Sequence, residues 1–193
     1  MMTDTPSIFD LDSRNGWPDE LRVLLRQYPR ATWTAHGSPL ATFWLDKHDF
    51  FREQGRRLAA TAQAYREERC SPSDLIAASA PRLQMYLGSL HGHHQIEDYH
   101  YFPMFREADR RLDAGFDALA HDHEGLHRNI LDIVEAANEL IVAGRDIANA
   151  QADRQRHAAD RYSVTCEQLV RRLGRHLDDE EDLIIPVMLA QGE

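Results

Sequence analysis

Two stretches of this chain place an imidazole and a carboxylate one helical turn apart, His93-His94-Gln95-Ile96-Glu97 and His176-Leu177-Asp178-Asp179-Glu180. In each, a glutamate follows the histidine by four residues, and a proline, Pro103 or Pro186, falls six positions after that glutamate. A helix turns about 100° per residue, so positions i and i+4 point the same way. Neutral nitrogen and hard oxygen converging on one point suit a borderline divalent metal. A single such pair is common on a charged helix surface; its return at the same proline offset is not.

These residues need helices to hold them, and the apolar periodicity supplies four. Ser38-Pro39 starts the first, with serine as cap and proline in the first turn; its inward stripe is Trp44, His48, Phe51, Gly55, Leu58, Ala62 and Tyr65. Gly55 in that stripe implies a closely approaching neighbour. Ser71-Pro72 starts the second, where Pro81 either kinks the helix or marks a restart capped by Ser79. Its stripe is Leu83, Leu87, Leu90, His93, Glu97, Tyr101 and Met104. The third follows Asp113-Ala114-Gly115 and carries Leu119, His123, Leu126 with His127, Ile130, Val134 and Ile141, closed by Gly144. A polar connection from Arg145 to Arg154 leads to the fourth, with Tyr162, Cys166, Leu169, Leu173, His176, Glu180, Leu183 and Val187 inward.

Without strand-like alternation, this pattern predicts an all-α fold, an antiparallel up-down four-helix bundle over residues 39–193. Residues 1–38 form an N-terminal extension rich in turn formers. It is expected to pack on the bundle through Trp17, Trp33 and a short amphipathic helix from Pro18 to Arg26.

Composition narrows the function. A chain of 193 residues, 42% of them hydrophobic, can bury one full core. A formal net charge of -10 argues against nucleic acid and anionic membrane surfaces as partners. Cys70 and Cys166 are far apart and form no CxxC pair, which points to a cytoplasmic protein without a thiolate metal site. The acidic start, Met1 to Asp12, has neither a basic nor an apolar leader region, and no apolar run approaches a membrane span.

Collected, the inward set is His48, His93, Glu97, His123, His127, His176 and Glu180. Over roughly residues 39–189 this resembles the hemerythrin-like family, the HHE cation-binding domain. Its pattern is one histidine from the first helix, HxxxE from the second, HxxxH from the third and a histidine with a following carboxylate from the fourth. The resemblance implies two iron ions with an oxo or hydroxo bridge: His123, His127 and His176 on one, His48 and His93 on the other, Glu97 and Glu180 across both. One iron is then short of six ligands, open to dioxygen, nitric oxide or peroxide for binding, sensing or detoxification. The donor types also admit manganese or zinc.

Oxygen-carrying members place the last carboxylate five residues after its histidine, as aspartate; here Glu180 is at four and Glu181 at five. Glu180 shares the stripe with His176 and is favoured, with Glu181 as the alternative. His36, His91, His121 and His157 fall off the stripes, whereas His94 and His100 flank the site as candidate supporting groups.

Glu97-x-x-His100 and Glu124-x-x-His127 suggest a ferritin-like di-iron oxidase, but they fall on the second and third helices rather than the second and fourth. Two other readings compete: a redox or iron-donating stress-response protein, and a metal-free helical interaction module. No acid-base or nucleophilic triad is visible, so an enzyme activity would rest on metal redox chemistry.

Overall fold

A computed structural model describes residues 7–145 and 152–192. The acidic start as far as Pro6, and residues 146–151 of the polar connection, lie outside the described residues. The described residues form α1 (Val23–Gln27), α2 (Pro39–Arg66), α3 (Pro72–Ile96), α4 (Phe102–Ala108), α5 (Asp113–Arg145) and α6 (Ala152–Gln191), and no strand. A π-helical turn, Glu97–Tyr101, joins α3 to α4, and 3-10 turns occupy Arg30–His36 and Arg110–Leu112. No described helix is long and apolar enough to cross a membrane.

The helix starts follow the capping signals. Ser38 Oγ accepts the Ala41 amide at 3.0 Å. Ser71 Oγ accepts the Asp74 amide at 3.2 Å while Asp74 accepts the Ser71 amide at 3.0 Å, a reciprocal cap. α3 then continues through Pro81 with no restart. In α5 the buried positions alternate by four and three: Leu119, His123, Leu126, Ile130, Ile133 and then Leu140. Val134 is exposed and Ile141 half-buried, because that alternation puts their neighbours inward; Gly144 lies within the helix rather than closing it. The expected Pro18–Arg26 helix begins later. Residues 18–22 are spent in turns, with the Leu21 and Arg22 amides bonded three residues back to Pro18 and Asp19.

The chain divides into two compact units, each containing a segment of all four long helices. In the first (residues 1–50, 93–125 and 172–193) Trp17, Leu21, Leu24 and Trp33 of the extension share one core with Trp44, Phe102, Phe105, Phe116 and Leu183. The pairings within it run in opposite senses. Trp44 meets Tyr101 while His48 meets His93; Phe116 meets Phe102 while His123 meets His94. On α5 and α6, Gly115 faces Leu183 while Asp122 bonds His176. The four segments are therefore an antiparallel up-down bundle.

The second unit (residues 51–92 and 126–171) repeats the arrangement. Gly144 faces Ile76, and Arg161 of α6 bonds Glu135 of α5 at 2.6 Å. A Cβ on Gly55 would stand 3.3 Å from both the Tyr86 hydroxyl and Val170, which is the close approach its place in the stripe implies. Replacing it with valine would force three more heavy atoms into that contact, so Gly55→Val should lower unfolding free energy by about 1–3 kcal/mol in a denaturant titration. Unchanged stability would mean that α2 does not pack so tightly there.

Candidate metal centre

Every side chain of the candidate centre belongs to the first unit. α2 supplies His48; α3 supplies His93 and His94; the π turn supplies Glu97 and Asp98; α5 supplies Asp122 and His123; α6 supplies His176, Asp179, Glu180 and Glu181. The π turn matters to the register. An unbroken α-helix would have carried the inward face from Glu97 to Tyr101 and Met104, whereas the extra residue in the turn brings Phe102 and Phe105 inward instead. Tyr101 and Met104 are half-buried at the edge of that core.

The donors fall into two groups: His48, His93, Glu97 and Glu180 in one, and His94, His123 and His176 in the other. In the first, the Nε2 atoms of His48 and His93 are 3.2 Å apart; in the second, those of His123 and His176 are 3.1 Å apart. Each glutamate spans the two. Glu97 sets one oxygen 2.8 Å from His93 Nε2 and the other 3.5 Å from His123 Nε2. Glu180 sets one oxygen 3.7 Å from His48 Nε2 and the other 3.4 Å from His176 Nε2.

Behind the imidazoles stand further carboxylates. His48 Nδ1 donates to Glu181 at 3.0 Å, His123 Nδ1 to Asp98 at 2.8 Å and His176 Nδ1 to Asp122 at 3.2 Å. An ionised carboxylate only accepts, so it fixes the proton on Nδ1 and leaves Nε2 with a bare lone pair. In a neutral imidazole held this way, that lone pair faces the centre and is free for a cation.

The electrostatics ask for the same thing. Among the described residues, the buried carboxyl groups are Glu97, Asp122, Asp179, Glu180 and Glu181, against the single buried arginine Arg14. Burial, then the neighbouring Glu180, pushes the Glu97 carboxyl well above its ordinary pKa. Burial opposes charge on Glu180 too, but His48 and His176 outweigh it and hold that carboxyl low. Burial also depresses His123 and His94, and takes His93 down to about 3. His176 goes the other way, because Asp122 and Glu180 outweigh burial and lift it to about 9.

Both oxygens of Glu97, Oε2 of Glu180 and Nε2 of His94 are buried without a hydrogen-bond partner. Acceptors stranded in a dry core are costly, and a cation satisfies all of them at once. The imidazole and carboxylate donors present therefore fit bound metal cations.

Of the residues expected from the sequence, His48, His93, Glu97, His123, His176 and Glu180 are brought together. His127 is not: it lies exposed in the second unit with its ring 5.8 Å from that of His91. The alternation along α5 sends Leu126 inward after His123 and leaves His127 on the flank. His94 stands in the second donor group instead, its ring stacked 4.1 Å from that of His123. One signal for it was in the sequence, since His94 is four residues after Leu90 and three before Glu97, as inward a position as His93. Glu181 meets His48 at Nδ1 and stands outside both donor groups, and His100 is exposed.

The sequence pattern that defines the hemerythrin HHE cation binding domain matches residues 40–188. No curated protein and no solved structure matches the chain. The match covers all four helices that build the donor groups, and its cation-binding character agrees with the stranded acceptors at their centre. The chain belongs to the hemerythrin HHE cation-binding family.

Proposed function

We propose that this is a cytoplasmic di-iron protein that takes up a small ligand, either dioxygen, nitric oxide or peroxide. The observation that supports it best is the placing of Glu97 and Glu180, each with one oxygen toward each histidine group. Two carboxylates so placed would bridge a metal pair and offset part of its charge in a dry core. In this reading residues 39–193 are the iron-binding bundle and residues 1–38 its packing extension. The thiol of Cys166, pushed by burial up to about 12, takes no part.

Iron is favoured by the donors themselves. His94, His123 and His176 with the two glutamates exceed the four ligands that zinc prefers, and a set rich in imidazole is less suited to manganese. His48 and His93 with the same glutamates are one donor poorer. Iron, when bound, supplies the redox couple and, on that poorer side, a coordination position for the incoming ligand. The protein's part is to shape and dry the site. The Trp44 indole donates to Glu180 at 3.0 Å, holding one bridging oxygen in place, and its ring stands 5.9 Å from His93 and 4.5 Å from Tyr101 as an apolar wall.

Anaerobic reconstitution with ferrous iron followed by nitric oxide or air should give two irons per chain and a new visible absorption band. Bound iron with no spectral response to either gas would contradict the ligand-binding reading. Exchanging the two candidate histidines gives a sharper check of the donor set. His94→Ala should weaken iron binding by about 10-fold or more in competition with a chelator, while His127→Ala should leave it unchanged. The reverse result would restore His127 to the site.

A further inference from the structure

The N-terminal extension does more than cover apolar surface in the first unit, because two of its arginines reach the carboxylates that stand behind the histidines. Arg14 is one of the largest fully buried side chains among the described residues. Its guanidinium donates to Asp122 Oδ2, to Asp179 Oδ2 at 2.7 Å and to the Ile8 carbonyl at 2.6 Å. Asp122 is the group that accepts from His176 Nδ1. Arg30 donates to Glu181 Oε2 at 3.1 Å, to Asp182 at 2.6 Å and to the Asp178 carbonyl at 2.6 Å, and Glu181 is the group that accepts from His48 Nδ1.

Each donor group is thus met by a chain of the same form: arginine of the extension, carboxylate, imidazole. We propose that Arg14 and Arg30 are positioning residues of the metal centre, acting through Asp122 on His176 and through Glu181 on His48. The inference rests on the metal-site reading above, but it assigns a role to two residues, Arg14 and Arg30, that lie outside the matched segment 40–188.

The physical reason is twofold. Asp122 and Asp179 are both buried, and without Arg14 their charges would repel each other and free the Asp122 carboxylate to turn away from His176. A guanidinium fork fixes the plane of the carboxylate, and the carboxylate fixes the imidazole ring and its tautomer. The two chains differ in weight. The side chain of Arg14 is 1% exposed and that of Arg30 is 44% exposed, so solvent screens the second and Arg14 should matter more.

The test is ferrous iron binding by the full chain, measured anaerobically against a chromogenic chelator, for wild type, Arg14→Gln, Asp122→Asn and the double variant. Arg14→Gln should weaken binding by about 10- to 100-fold, Arg14→Lys by less, and Arg30→Gln by only a few-fold. Since Arg14 acts through Asp122, the double variant should bind no worse than Asp122→Asn alone. Leu24→Ala, which loosens the extension's packing without touching either chain, controls for general destabilisation and should leave affinity unchanged once folded.

Arg14→Gln binding as wild type does, losses that add in the double variant, or an equal loss in Leu24→Ala would each overturn the proposal. Failure of the wild type itself to bind iron would instead overturn the metal site, and the proposal with it.

Discussion

Buried negative charge is the constraint on which the first unit depends. Glu97 and Glu180 are wholly buried, their oxygens largely lack donors, and the imidazoles around them bring their Nε2 atoms within 3.2 Å of one another in pairs. A helical core filled this way would be unfavourable by itself, because each stranded acceptor keeps its full desolvation cost. The arrangement becomes sensible when cations occupy the centre, which is what membership of a cation-binding family implies. The carboxylates behind His48, His123 and His176 extend the same logic outward, and Arg14 and Arg30 close it at the rim.

Long helices meet this constraint at little conformational cost. Each delivers ligands at fixed turns from a stripe that is otherwise apolar, so the residues that pack the core also hold the donors still. Two local departures tune the result. The π turn at Glu97–Tyr101 resets the register after the ligands of α3, letting Phe102 and Phe105 close the core beneath them. The extension then brings aromatic and cationic side chains to the same unit: Trp17 donates to the Asp179 carbonyl at 2.6 Å and lies under the Arg14 guanidinium.

Much of this is legible in the sequence. The α6 stripe, from Tyr162 through His176 and Glu180 to Val187, is buried throughout, because an uninterrupted amphipathic helix obeys simple periodicity. Ser38 and Ser71 announce their helices through local capping chemistry, which needs no tertiary information. Failures came where the period drifts or breaks. His127 shares HxxxH spacing with His123, yet the four-and-three alternation of α5 passes it by, and the i+4 rule alone does not resolve that drift. His94 and His93 are adjacent in sequence, and spacing alone does not show that both can face the centre. The π turn leaves no mark in residue type, and the arginine chains join residues more than a hundred positions apart, so neither could be read from spacing.

In the proposed site two metal ions sit side by side between the histidine groups, joined by Glu97 and Glu180. X-ray absorption at the iron edge of the reconstituted protein tests it most directly. Each iron should show an iron neighbour at about 3.5 Å, with imidazole scattering around both, and that metal–metal vector should be lost in Glu97→Ala and Glu180→Ala. Isolated iron with no metal neighbour in the wild-type protein would contradict it.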